Sequence, residues 1–289
     1  MHPAHCSSIH PAVEFQAPGT IQTGVALKEI LSPTLIRLVG ESVRRVCPKF
    51  SASEFESQAV EGLDQLELMD RGRHIGLSLA RQLPGPFSKQ ARTLIASLGP
   101  ELTRTEGNGL AVFFYLPHSF VISECGLEDV ESSLAAMYQL TKRFSAEFCL
   151  RPFLIRHRDE CLSRLQRWAT DPSSHVRRLV SEGTRPRLPW ALRLTEFERD
   201  PKVTLPLLEL LKDDPEKYVQ RSVANHIGDI LKDHPRVGFA LCERWLKEVG
   251  KKAIGAEIAR SRKWIIRHAV RLPAKTGDQE ALMLRERSR

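Results

Sequence analysis

The strongest constraint on the fold of this chain is a self-similarity in its second half. Asp171-Pro172-Ser173-Ser174-His175-Val176-Arg177-Arg178 matches Asp214-Pro215-Glu216-Lys217-Tyr218-Val219-Gln220-Arg221 at an offset of 43 residues, and Tyr218-Val219-Gln220-Arg221 matches Trp264-Ile265-Ile266-Arg267 at an offset of 46. Intervals of about 40–47 residues belong to HEAT-type helical pairs. One such pair cannot bury its apolar face alone, so consecutive pairs must stack into a solenoid. The Asp-Pro step fits a helix start, with Asp171 or Asp214 as the cap and the proline in the first position, where no N–H is missed.

The preceding residues read as helical too. Leu35, Leu38, Val39, Val43 and Val46 recur at three- and four-residue spacing, the period of one helix face. A second apolar series, from Leu66 to Leu83, stops at the breaker Pro84-Gly85-Pro86. The run from Leu110 to Leu116 is short and apolar enough for a strand. A lone strand would lack a partner, so a buried helix is expected there. Val130, Leu134, Met137, Leu140, Phe144 and Phe148 predict one long amphipathic helix over 129–148.

These patterns give an all-α fold: an α-solenoid of HEAT-like helical repeats, C-shaped with a basic concave surface. The expected organisation is a disordered arm over 1–22, where Pro3, Pro11 and Pro18 interrupt weak periodicity, then one solenoid domain over 23–275 and a basic tail over 276–289. Within that domain, 23–150 is helical and 151–275 carries the clearest repeats.

Charge is uneven along the chain. The net charge is +8, and residues 151–289 hold 30 Lys/Arg against 19 Asp/Glu, whereas the first 150 hold 13 against 16. A basic half favours a polyanion, with nucleic acid first and a membrane surface second. No apolar run approaches the ~20 residues of a membrane span. The six cysteines are scattered without a C-x-x-C pair, so neither a disulfide framework nor a zinc site is indicated, and a reducing cytoplasm fits.

The repeat offset also carries a geometric inference. Glu182 plus 43 is Asn225, and Asp229 lies one helical turn beyond it, so Glu182 and Asp229 project to a common side of adjacent repeats. Carboxylates on a basic surface oppose phosphate. The natural counterpart is a cationic or developing cationic centre in a ligand. Plainer readings stand beside this one: Asp229 could bond to the neighbouring repeat, Glu147 could pair with Arg151 four residues on, Trp190 could be a core aromatic, and His226 a satisfied interior group. Arg177, Arg178, Arg185, Arg221 and Arg267 form the set of candidate phosphate contacts.

Several stretches in consistent order then point to a family. Tyr138 to Phe148 with Arg151-Pro152-Phe153, Ser181 to Trp190, Ser222 to His226 with Asp229, and Trp264 to Ala269 resemble the AlkC-type alkylpurine DNA glycosylases of the HEAT-like-repeat class, relatives of AlkD. The resemblance covers about residues 24–275. It implies monofunctional excision of cationic alkylated bases, such as 3-methyladenine and 3-methylcytosine, from double-stranded DNA. It further implies no base flipping, no metal or other cofactor, a monomer, and a place in the bacterial cytoplasm. On that resemblance Glu147, Glu182 and Asp229 occupy the catalytic acidic positions and Trp190 the active-site aromatic. A non-catalytic helical-repeat scaffold, or a protein that binds alkylated lesions without cleaving them, is the alternative, because fold does not fix function.

Overall fold

A computed structural model describes residues 9–250 and 254–289 of the chain. Among the described residues every regular element is helical: α1 (Pro11–Glu14), α2 (Pro33–Val46), α3 (Ala52–Val60), α4 (Leu68–Gln82), α5 (Phe87–Ala96), α6 (Leu116–Cys125), α7 (Val130–Thr141), α8 (Glu147–Arg156), α9 (Arg158–Trp168), α10 (Ser174–Gly183), α11 (Thr195–Arg199), α12 (Leu205–Leu211), α13 (Lys217–Asp233), α14 (Pro235–Val249), α15 (Ala256–Ala269), α16 (Arg271–Lys275) and α17 (Gln279–Arg287), with short 3-10 turns between some of them. No helix among these residues is long and apolar enough to cross a membrane. The chain divides into two compact units, Met1–Cys149 and Leu150–Arg289.

In the first unit, α2 shows why the sequence starts and buries a helix where it does. Ser32 caps it by accepting from the Leu35 N–H, Pro33 opens it, and Leu35, Ile36, Leu38, Val39 and Val43 line its buried face. The packing of α4 on α6 depends on two glycines. A Cβ on Gly76 would come 2.6 Å from the Pro117 carbonyl oxygen, and one on Gly72 would come 2.9 Å from the Phe120 ring, so any side chain at either position would push the helices apart. The ambiguous run 110–116 is helical, a 3-10 turn over Ala111–Tyr115 leading into α6.

Two expectations for this unit need correction. Residues 10–18 do not belong to a disordered arm. His10 donates through Nε2 to the Ser97 carbonyl at 3.1 Å, Pro11 and Phe15 are buried, Phe15 packs on Phe114, and the Pro18 carbonyl accepts from Leu110 N at 3.0 Å. Residues 1–8 of that arm lie outside the described residues. Nor is 129–148 one helix. The Lys142 carbonyl accepts from Leu102 N at 2.9 Å, and the Arg143 side chain donates to Gly99 O and Gln139 O at 2.6 and 2.8 Å. Those bonds end α7 near Thr141, and α8 begins afresh at Glu147.

The second unit contains the repeats. Helices α10, α13 and α15 pack in sequence as one layer, backed by α9, α12 and α14. Both α10 and α13 begin 43 residues apart, at Ser174 and Lys217, as the offset requires. The Asp-Pro step works differently from a cap. Ser173 and Glu216 are the N-cap residues, and Asp171 and Asp214 accept from their N–H groups at 2.8 and 2.9 Å, closing an Asx-type turn just before each helix. The expected basic tail is also ordered: α17 is capped by Asp278, buries Ala281 and Leu284, and packs against α14, α15 and α16.

Candidate functional site

The carboxylate pair is where the repeat offset places it, and one arginine joins its members. Arg185 Nη1 donates to Glu182 Oε1 at 2.6 Å, and Arg185 Nε donates to Asp229 Oδ2 at 2.8 Å. Glu182 sits in the last turn of α10, Asp229 late in α13, and both are buried. Ser222 Oγ donates to the second Glu182 oxygen at 2.6 Å, Arg178 approaches Glu182 at 3.4 Å, and Lys232 Nζ lies 2.9 Å from the second Asp229 oxygen. Burial works against the Glu182 charge, yet Arg178, Arg185 and the Ser222 hydroxyl together hold its carboxyl below the usual range. Arg185 is likewise penalised by burial, and its two carboxylate partners more than restore its charge.

The loop that leaves α10 carries Trp190, which is 60% exposed and therefore not a core aromatic. Its φ of +62° is the one positive value at a non-glycine position among the described residues. A bulky side chain in the left-handed region is strained, and the surroundings must enforce it. Arg151 ties down the chain on both sides of it. It is wholly buried, and its guanidinium donates to the carbonyls of Gly183, Arg185 and Pro186 at 3.2, 2.8 and 3.2 Å and to that of Leu192. Sequence reasoning weighed Arg151 only as a salt-bridge partner and missed this function. Its position one residue before Pro152 in an apolar helix was the available signal.

Glu147 belongs to the first unit and occupies the first turn of α8, where the helix dipole favours a negative charge and the Ser145 hydroxyl donates to it. His226 is a satisfied interior group, as the plainer reading has it. Nδ1 donates to the Ser181 carbonyl at 3.0 Å, Nε2 lies 3.3 Å from Thr204 Oγ1, and burial lowers its pKa to about 4.

The five arginines separate into two groups. Arg177 is engaged inside the fold, in a bidentate ion pair with buried Asp214 of the next repeat and in bonds to the carbonyls of Asp171 and Pro172. Gln220, its equivalent one repeat later, makes the same two carbonyl contacts with Asp214 and Pro215. Arg185 is held by the carboxylate pair, so in the free protein both of these candidate phosphate contacts are engaged within the fold. Arg178 lies over the Tyr218 ring at 5.2 Å, Arg221 is exposed, and Arg267 is half-buried on α15. No cluster of potential metal ligands is found among the described residues.

No protein-family profile matches the chain. It is 34% identical over 259 residues to the uncharacterized protein YhaZ of Bacillus subtilis (strain 168), covering 89% of this chain and 67% of that protein. Its fold superposes on the Pseudomonas fluorescens alkylpurine DNA glycosylase AlkC, solved with DNA containing an abasic site analog, with a TM-score of 0.78 and 35% identity over 91% of this chain and 68% of that one. With this identity sustained over most of both proteins, the chain belongs to the AlkC-type alkylpurine DNA glycosylase family.

Proposed function

We propose that this protein is a DNA-repair glycosylase that hydrolyses the N-glycosidic bond of cationic alkylated bases, such as 3-methyladenine and 3-methylcytosine, in duplex DNA without flipping the base. The observation that carries the reading is the buried pair of Glu182 and Asp229, joined across adjacent repeats by Arg185, beside a loop that displays Trp190. A cationic base is a good leaving group and needs no general acid. The bond from C1′ to the base nitrogen breaks, its electron pair leaves with the base and cancels the positive charge, and the sugar becomes oxocarbenium-like. Glu182 and Asp229 stabilise that cation by Coulomb attraction, which is strong in a water-poor site. A water oxygen bonds to C1′, and the carboxylates orient this water and take its proton.

In the free protein Arg185 supplies the carboxylates with the positive charge that the sugar cation would bring. It is also one of the arginines expected to meet phosphate. Transfer of its guanidinium to a backbone phosphate on DNA binding uncovers the carboxylates as the substrate arrives, with the charge lost on one side offset on the other. Trp190 packs its indole face on the deoxyribose. The family resemblance gives Glu147 the third acidic position, and Arg178, Arg221 and Arg267 supply phosphate contacts.

The same buried, neutralised pair is also what an inter-repeat ladder in a lesion-binding or scaffold protein would contain. Incubation with duplex DNA bearing 3-methyladenine separates the readings. Release of free base with an abasic strand is the expected result, and lesion binding without release would leave the carboxylates structural.

A further inference from the structure

Away from the carboxylate pair, the second unit has an open cavity of about 420 Å³ lined by Lys217, Gln220, Arg260, Ser261, Lys263, Trp264, Arg267 and Arg289. Five of these residues are cationic and no side-chain carboxylate lines the cavity; Arg289 pairs with Glu286 at 2.9 Å, while Lys217 and Arg260 face the space with no acidic partner among the described residues. Lys217, in the first turn of α13, places its ammonium 3.2 Å from the centroid of the Trp264 ring, while His268 stacks on the same indole with centroids 4.8 Å apart. With cation and imidazole against it, the indole serves to fix Lys217 rather than to stack on a base. Lys263 and Arg267 donate to the main-chain oxygens of Arg289 and Ser288, which fixes those two cations at the rim.

We propose that this cavity is an oxyanion site that seats one backbone phosphodiester of bound duplex DNA on Lys217 and Arg260, remote from the reactive nucleotide. The proposal rests on the DNA-glycosylase reading for the identity of the anion but not for its existence. Lys217 and Asp229 stand twelve residues apart on one helix, about 18 Å along its axis, a span of at most about five base-pair steps if the duplex ran along that helix. The seated phosphate therefore belongs to the flank of the lesion site and registers the duplex on the solenoid.

The geometry has a titratable consequence. The groups facing the Lys217 ammonium are Arg221 on α13, Arg260, Lys263, Arg267 and His268 on α15, and Arg289 at the chain end. Although Lys217 is largely exposed, partial burial of its ammonium first, then Arg221 and Arg267, lowers its pKa to about 8, and His268 is itself pushed down to about 4, so it stays neutral above pH 6. A phosphate in the cavity reverses the repulsion and restores the ordinary lysine value, so binding takes up a proton near pH 8. By linkage, affinity falls about tenfold between pH 7 and 9.

The test is anisotropy of an undamaged labelled duplex titrated with the full chain at pH 7 and pH 9, for wild type, Lys217→Arg and Lys217→Met. Wild type should weaken about tenfold at the higher pH, Lys217→Arg should bind equally well at both, and Lys217→Met should be weak at both, with a salt slope shallower by about one. A wild-type loss that persists unchanged in Lys217→Arg, or full affinity in Lys217→Met, overturns the proposal. A phosphorus NMR titration with inorganic phosphate, on the same three proteins, reads the cavity without DNA. Phosphate binding that depends on Lys217, without duplex binding, refutes the DNA source while keeping the oxyanion site. Methylphosphonate substitution at single phosphates within about six steps of a fixed lesion should abolish the pH effect at one position, and no such position would refute the seating.

Discussion

Asp229→Asn is the substitution that isolates charge from shape at the candidate site. The aspartate is buried and shares its two oxygens between Arg185 at 2.8 Å and Lys232 at 2.9 Å. Asparagine keeps the volume and one acceptor, so Arg185 retains a hydrogen bond but loses half of its charge compensation. Removing a buried partner altogether would cost about 3–5 kcal/mol. Retention of one hydrogen bond, and relief of the carboxylate's own desolvation, reduce the expected loss of stability to about 1–2 kcal/mol. The effect on chemistry should be larger, because an oriented charge of this kind contributes about 2.7–4 kcal/mol to a transition state, or 10²–10³ in rate. Binding should move in the opposite direction: Arg185 is freer to reach phosphate, and one negative charge facing DNA is gone. The assay is single-turnover release of 3-methyladenine from duplex DNA at saturating enzyme, paired with anisotropy on the same duplex. Wild-type excision by the variant would refute the catalytic reading, and weakened binding would refute the account of Arg185.

Other expected outcomes follow from particular contacts. Arg177→Met should lower unfolding stability by about 3 kcal/mol, since it strands buried Asp214 between repeats, and should leave duplex affinity unchanged once folding is accounted for; urea denaturation and anisotropy read the two effects. Trp190→Gly should be more stable than Trp190→Ala by about 1 kcal/mol, the reverse of the usual order, because only glycine relaxes at a φ of +62°, while both variants excise more slowly. Acid should destabilise the fold through His118 and His226, whose folded pKa values burial lowers to about 4. Their neutral forms contribute stability fully above pH 6.5, and this is lost as pH falls toward 4, about 3 kcal/mol for each. Thermal unfolding of His226→Asn beside wild type over pH 4–7 checks the sign, and the variant should show the shallower acid limb.

The repeat period was the most legible part of the chain. It places the starts of α10 and α13 and puts Glu182 and Asp229 against one another, because helix phase converts a sequence offset into a shared face. Contacts made by long side chains were not legible in the same way. The flexible stem of an arginine reaches across a repeat, so Arg177 and Arg178, adjacent in sequence, end in an ion pair with Asp214 and over the Tyr218 ring. Arg151 is harder still to read, since its partners lie 32 to 41 residues downstream and are main-chain carbonyls, which every residue possesses. The ordered part of the N-terminal arm escaped for a related reason. It is anchored by isolated residues, His10 and Phe15, and not by a periodic face.

Arg185 shows where the sequence argument brought Glu182 and Asp229 to one face by an incomplete route. Two carboxylates on a basic surface do require a positive partner, and the inference assigned that partner to the ligand. The chain supplies one of its own, three residues beyond Glu182. This does not weaken the chemical reading; it answers a question that the reading left open, namely how two carboxyl groups stay paired and ordered in a buried position before substrate arrives. Against burial, Arg178, then Arg185 and the Ser222 hydroxyl keep Glu182 below the usual carboxyl range, so on the proposed reading it need lose no proton before the sugar cation is stabilised. On the proposed reading the same contact would also discriminate: a phosphate compensates the departing Arg185 on any duplex, but only a cationic alkylated base returns positive charge to the uncovered carboxylates.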